Sequence, residues 1–275
     1  MPWTAHLTPR ALQSRARQFA QAAACWPGDR RCQALAAGYR IAGDHRRIYF
    51  HHIRKTAGTS LCWAFLATSG RDGAQLYDRL ARQFVARVVL GDKVIVGWNR
   101  RLIQQGQYYF GFSHIPAHSL TLPPATFTVT CLRDPVKRVI SHYRMLREFQ
   151  ETEPTRPVFR AEGRWLGASF SDFLDRLPRE HLLRQVCMFS RRFDPAEAAD
   201  AIADCSCVLS TEQFAAGLAD LSRTIGLPLQ NHRAKSSGFT VEIADADVAR
   251  LRDMLEPEYR MYEQLGPLVA APPTR

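Results

Sequence analysis

The 275-residue chain has no stretch approaching the roughly 20 consecutive apolar residues that a membrane-spanning helix needs. Its first 20 residues, interrupted by Arg10, Arg15 and Arg17, lack the apolar centre of a signal peptide. The expectation is a cytoplasmic protein with no transmembrane segment. Cysteine is sparse, at seven residues, and no Cys/His cluster has the spacing of a structural zinc site. Cys205 and Cys207 stand too close for one. A Cys25–Cys32 disulfide fits the spacing less well than two thiols in a reducing compartment. Internal repeats and low-complexity tracts are also missing, which excludes solenoid, collagen-like and disordered classes. Acidic residues are under-represented: 26 against 37 Lys and Arg, for a formal net charge of +11. That surplus points to a polyanionic partner, whether nucleic acid, anionic membrane, acidic polysaccharide or phosphorylated cofactor.

What is present reads as one α/β domain with a mostly parallel sheet, preceded by a helical segment over 1–45 that breaks near Trp26-Pro27-Gly28. Strand patterns fall at 46–53, 94–96, 108–112, 126–132 and 207–209. Helical patterns fall at 58–68, 135–149, 169–177, 179–190, 195–204, 211–225 and 245–264. Asp134 and Pro135 form a helix start, as N-cap and first helical residue. Residues 151–168, with two prolines, two glycines and several charges, read as a loop or insertion.

Two segments carry chemistry. In the first, a strand ending at Ile53 runs into Arg54-Lys55-Thr56-Ala57-Gly58-Thr59-Ser60 and then into a helix. Three hydroxyls beside an Arg–Lys pair, at the start of a helix, make an anion cradle. Lys55 brings a mobile charge and Gly58 allows close backbone approach. The loop is not a Walker A motif, which places its Lys after a second Gly. In the second segment, strand 126–132 ends at Arg133-Asp134-Pro135, and the next helix carries Arg138 and Ser141 three residues apart on one face. An Arg at the carboxyl end of a parallel strand, with a hydroxyl on the adjoining helix, suits a phosphate.

Together these segments resemble the sulfotransferases that use 3′-phosphoadenosine-5′-phosphosulfate (PAPS). The first resembles their 5′-phosphosulfate loop. Cys131 to Tyr143 resembles their 3′-phosphate strand and helix, RDPxxRxxSxY. The similarity is to the carbohydrate group that includes heparan sulfate and uronyl 2-O-sulfotransferases and bacterial relatives. Leu182-Leu183-Arg184-Gln185, Cys207 to Glu212 and Asn231 to Gly238 resemble the family's mid-chain helix, late strand and cofactor-covering loop. The resemblance implies a P-loop-like, three-layer α/β fold over 46–275, with residues 1–45 as an N-terminal helical extension. It also implies that Lys55 holds the oxygen bridging phosphate and sulfate, while Thr56, Ala57, Gly58, Thr59 and Ser60 hold the 5′-phosphate. Arg133 and Ser141 would hold the 3′-phosphate, with Arg54, Arg138 and Lys235 further cations facing the cofactor. No metal is required by that chemistry.

Sulfuryl transfer needs a base for the acceptor hydroxyl. Phe110-Gly111-Phe112-Ser113-His114-Ile115-Pro116 resembles the family's Gly-His-aromatic-Pro sequence, with Ser113 in place of the usual Gly, and makes His114 the candidate. Its ordinary pKa near 6.5 suits the task. His51, His52 and His118 compete, although one of the adjacent pair on the strand must face the core. The activity implied is transfer of a sulfuryl group from PAPS to a hydroxyl of an acceptor, in keeping with a saccharide. A P-loop kinase or NTPase is the alternative, and the missing GK[ST] speaks against it. A nucleic-acid binder is the third, without any recognisable binding signature. The Arg-rich segments 70–106 and 147–168 permit an acidic acceptor.

Overall fold

Six short segments rich in Val, Ile, Tyr and Phe build one sheet in the computed structural model, which describes residues 29–82, 86–232 and 239–266. The strands are β1 (Arg47–His51), β2 (Arg87–Leu90), β3 (Lys93–Gly97), β4 (Phe110–Ser113), β5 (Thr126–Leu132) and β6 (Cys207–Ser210), in the order 2-3-4-1-5-6. All neighbouring pairs are parallel except the β2–β3 hairpin at one edge. Central β1 pairs with β4 on one side and β5 on the other, and Ile48, Tyr49 and Phe50 are fully buried. A strand buried on both faces reads as a continuous apolar run, and this one does.

Helices cover both faces. They are α1 (Asp29–Gly38), α2 (Gly58–Ala67), α3 (Gly73–Arg82), α4 (Arg100–Gln105), α5 (Pro135–Thr152), α6 (Pro157–Glu162), α7 (Phe170–Arg176), α8 (Arg179–Leu182), α9 (Arg184–Phe189), α10 (Pro195–Ala203), α11 (Phe214–Ile225), α12 (Asp245–Met254) and α13 (Glu256–Leu265). On one face Phe50, Phe110, Val129 and Leu209 pack against Leu61 and Phe65 of α2, Leu76 of α3 and Leu218 of α11. On the other, Tyr49, Val94 and Val96 meet Cys32 of α1 and Leu102 and Ile103 of α4. A further core joins Ile53, just past β1, and Leu132, the last residue of β5, to α9, α10 and α13. Helices α5, α7 and α12 share a separate cluster around Tyr143, Phe173 and Leu251. The six described cysteines are free thiols; Cys25, Lys235 and residues 1–28 lie outside the described residues. Among the described residues no helix is long and apolar enough to cross a membrane.

Several elements differ from the sequence pattern. The run 179–190 is two helices, because Leu183 leaves helical geometry (φ −96°, ψ 46°) between them. The run 245–264 likewise breaks at Leu255, with a proline in the first turn of α13 lacking the N–H that would continue the ladder. Residues 151–168, read as a loop, contain α6 and a turn of 3₁₀ helix. Strand β2 was unread because it is a four-residue edge, with only two buried positions. Helices α3 and α4 lie with it in the Arg-rich segment 70–106, outside the helical patterns of the sequence.

Helix α5 starts as its sequence indicates, with the Asp134 carboxylate accepting from the Lys137 amide at 2.8 Å. One turn on, Arg138 departs from expectation. It is 1% exposed, with its guanidinium 3.7 Å from the Glu258 carboxylate and donating to the carbonyls of His181 and Leu182. Glu258, itself fully buried, also accepts from the Gln185 amide and side chain, both at 2.8 Å. Arg138 is therefore a buried tie between α5, α8 and α13, not a free cation facing a ligand. Glu258→Ala would strand that charge in the core, and about 3–5 kcal/mol of unfolding free energy is expected to be lost. Urea denaturation of the variant measures it.

Candidate active site

The turn after β1 has the backbone geometry that suits an anion. Lys55 (φ 70°) and Ala57 (φ 58°) both adopt the left-handed conformation, which costs about 1–3 kcal/mol at a non-glycine residue. Backbone turns of this kind make N–H groups converge on a concavity that suits an anion. Ala57 is the N-cap of α2 and no side chain caps that end, where Leu61 is the residue that bonds back to the Ala57 carbonyl. The first amides of a helix have no intrahelical partner, and the dipole adds partial positive charge. Thr56 is fully buried and donates its hydroxyl to the Ile53 carbonyl at 3.0 Å, so the side chain closes the turn and leaves only the backbone for a ligand. The Thr59 hydroxyl is engaged with Tyr77. Ser60 is buried. Gly58 is needed for what lies behind it: a Cβ there would stand 2.0 Å from the His52 ring.

Strand β5 brings a second cation to the same place. Arg133 donates from its guanidinium to the Lys55 carbonyl at 3.1 Å. Its backbone is clamped: the amide donates to Gln185 Oε1 (2.9 Å), and the carbonyl accepts from Gln185 Nε2 (3.0 Å) and the Tyr262 hydroxyl (2.7 Å). Burial, then the charges of Arg133 and Arg54, push the Lys55 pKa down from its ordinary 10.5 to about 8. Arg54 pairs with Glu162, whose other oxygen is 2.8 Å from His142 Nε2. Burial favours a protonated Glu162, but His142 and Arg54 outweigh it and hold the carboxylate at about 2. Burial leaves His142 and His181 uncharged near neutral pH, both at about 4. Ser141, expected beside Arg138, is half-buried on α5 while Arg138 is turned into the core.

Of the candidate bases, His114 alone combines partial exposure with a fixed tautomer. Its Nδ1 lies 2.6 Å from the His52 carbonyl. A carbonyl only accepts, so Nδ1 carries the proton and Nε2 keeps its lone pair. Burial and the Arg54 charge push the His114 pKa down to about 3, against the opposing bond to His52. Arg184 donates to the His114 carbonyl at 2.8 Å. His51 and His52 face opposite sides as the strand dictates: His51 packs on Tyr49 and Phe189, His52 on Phe50. Both are buried, whereas His118 is exposed on a 3₁₀ turn, its ring beside Ser119. Beside His114 stands Trp98, itself left-handed (φ 50°), in edge contact with Tyr77 and Phe112.

No family model matches the chain, and no curated protein is significantly similar to it. The site therefore has to be read from its own geometry.

Sequence reasoning missed Glu162, His142, Arg184, Gln185, Tyr77 and Trp98 as parts of this region. Arg184 and Gln185 stood in a run whose resemblance was noted, but their contacts depend on helices far apart in the chain. Nothing local marked Glu162, which lies in what read as a loop.

An anion seated against Lys55 raises its depressed pKa, so binding near pH 8 takes up a proton. Sulfate, which does not titrate here, is expected to bind progressively more weakly between about pH 7 and about pH 9.5 as Lys55 loses its charge. Calorimetry should show that slope in the wild type and a flat profile in Lys55→Ala.

Proposed function

We propose that the protein is a sulfotransferase that moves a sulfuryl group from PAPS to an acceptor hydroxyl. One observation carries the reading. Two cation-bearing turns stand side by side, at the carboxyl ends of the adjacent parallel strands β1 and β5, joined by the Arg133–Lys55 bond. Ligands of open α/β sheets bind at such strand ends. Two neighbouring anion sites match a nucleotide phosphorylated at both 5′ and 3′ positions better than a single polyphosphate tail. A groove along α2, lined by Trp63, Arg71, Asn231 and His232, supports the nucleoside end. Trp63 Nε1 and His232 Nε2 are buried there with no hydrogen-bond partner among the described residues. The P-loop-like sulfotransferase variant of the α/β fold belongs to the same proposal, as do the 3′-phosphate role of Arg133 with Ser141 and that of Lys235.

In this reading the acceptor oxygen attacks sulfur in line with the bond to the 5′-phosphate. Its proton passes to His114 Nε2 while the S–O bond to phosphate breaks. Lys55 and the amides of the cradle meet the charge that develops on the departing phosphate oxygen. A polyanion against Arg54 and Arg184 offsets the cations that add to the effect of burial on His114, and so raises its basicity when the cofactor is seated. Adenosine 3′,5′-bisphosphate is the product. Trp98 and Tyr77 beside His114 offer an aromatic wall for the acceptor, and the half-buried Arg184 suits a saccharide that is itself anionic. The free thiols fit a reducing, cytoplasmic setting.

The test is transfer of labelled sulfate from PAPS to a panel of glycans, lipids and small alcohols. The wild type should label a saccharide. His114→Ala should lower turnover by about 10²–10⁴-fold with little change in cofactor affinity, and Arg133→Ala should chiefly weaken cofactor binding. Full turnover in His114→Ala would overturn the base assignment. No transfer to any acceptor, with no binding of adenosine 3′,5′-bisphosphate, would overturn the function.

A further inference from the structure

Helices α5, α6 and α8 bring three side chains together that sulfuryl transfer does not use. His142, Glu162 and His181 each present one ligand atom, and these atoms all lie within 4.8 Å of one another. The His142 ring is buried between Trp165 and Phe173, in edge contact with both at 6.1 Å. The His181 ring stands 4.5 Å from Trp165, is only partly buried, and makes no hydrogen bond among the described residues. The Arg54 ion pair and the His142 hydrogen bond account for Glu162, but no hydrogen bond among the described residues accounts for the His181 ring beside them, in a space walled by aromatic rings and open on one side. The chain could have closed this space with apolar residues, as it does elsewhere in the α5–α7–α12 cluster.

We infer that His142, Glu162 and His181 form a site for a divalent transition-metal ion, zinc by preference. Two His and one Glu are a ligand set that zinc accepts with a fourth position left for water or a ligand. Imidazole donors favour zinc and its neighbours over magnesium or calcium, which take oxygen. In the free protein His142 Nε2 donates to the Glu162 carboxylate, so an ion would replace that hydrogen bond and displace its proton from Nε2. Arg54 occupies Oε1 of Glu162, while Oε2, hydrogen-bonded to His142 in the free protein, is the oxygen that would turn to the ion. A group bonded to the outer oxygen of a ligating carboxylate fixes its orientation, which is how outer partners support metal sites. The guanidinium charge works against the cation, so the site binds more weakly than a closed four-ligand structural centre. An ion here would tie α5, α6 and α8 to the carboxylate that positions Arg54 at the mouth of the cradle. It has no part in the sulfuryl transfer proposed above, and the inference does not rest on that proposal.

Cobalt(II) tests it, because a low-coordinate nitrogen–oxygen site gives visible absorption that free aqueous cobalt lacks. Tag-free full-length protein, stripped with chelator, is titrated with cobalt chloride and then with zinc chloride. The expected result is one saturable site per chain, bleached by zinc. Weakening of at least about 10-fold is expected in both His181→Ala and Glu162→Gln. His118→Ala, on the exposed turn, should titrate as the wild type does. The partly exposed His181 makes its variant the safer of the two for folding. Its melting temperature without metal should match the wild type, while the stabilisation by zinc should shrink. Absence of a saturable signal in the wild type would overturn the inference, as would His181→Ala binding cobalt as tightly as the unaltered chain.

Discussion

Cations held together at one end of the sheet are the constraint around which the molecule is arranged. Arg54, Lys55, Arg133 and Arg184 converge at the carboxyl ends of β1, β4 and β5, each at least half-buried. Burial already disfavours a charged lysine, and the neighbouring guanidinium groups depress Lys55 further. Glu162 pairs directly with Arg54, and Glu212 and Asp134 offset Arg133 in part. Such an arrangement is electrostatically costly in the free protein, and a bound anion would offset that cost. The overall charge of +11 is thus more than a surface property, because part of it is concentrated where backbone amides also converge.

The remainder of the fold holds those charges still. Gln185 grips both the amide and the carbonyl of Arg133 and is itself anchored on Glu258, which balances Arg138. Tyr262 adds a third contact from α13. The position of Arg133 therefore depends on a buried network drawn from β5, α5, α9 and α13. On the β1 side, the His52 ring fills the space under Gly58 while its carbonyl sets the tautomer of His114. The cradle and the candidate base are in this way linked through a single residue.

The parts of this arrangement legible in sequence are those set by neighbours in the chain. Strand β5, the Asp134 cap and Pro135 lie within a few residues of one another, and they predict the start of α5 where it occurs. The run from Arg54 to Ser60 likewise signals a turn into a helix carrying cations. Orientation was not legible. Thr56 reads as a ligand hydroxyl but turns inward to Ile53, and Arg138 reads as a partner of Ser141 but is claimed by Glu258 from α13. Glu162 and His142 meet only because α6 folds back onto α5, and no period in the sequence encodes that contact.

The central claim is that two adjacent anion sites select a nucleotide bearing phosphate at both ends of its ribose. Calorimetric titration of the wild-type protein with adenosine 3′,5′-bisphosphate and, separately, with ATP tests it most directly. The account predicts binding of the bisphosphate at least about 10-fold tighter than ATP, a difference of about 1.4 kcal/mol, without added magnesium. Tighter binding of ATP, or equal binding of the two, would contradict it.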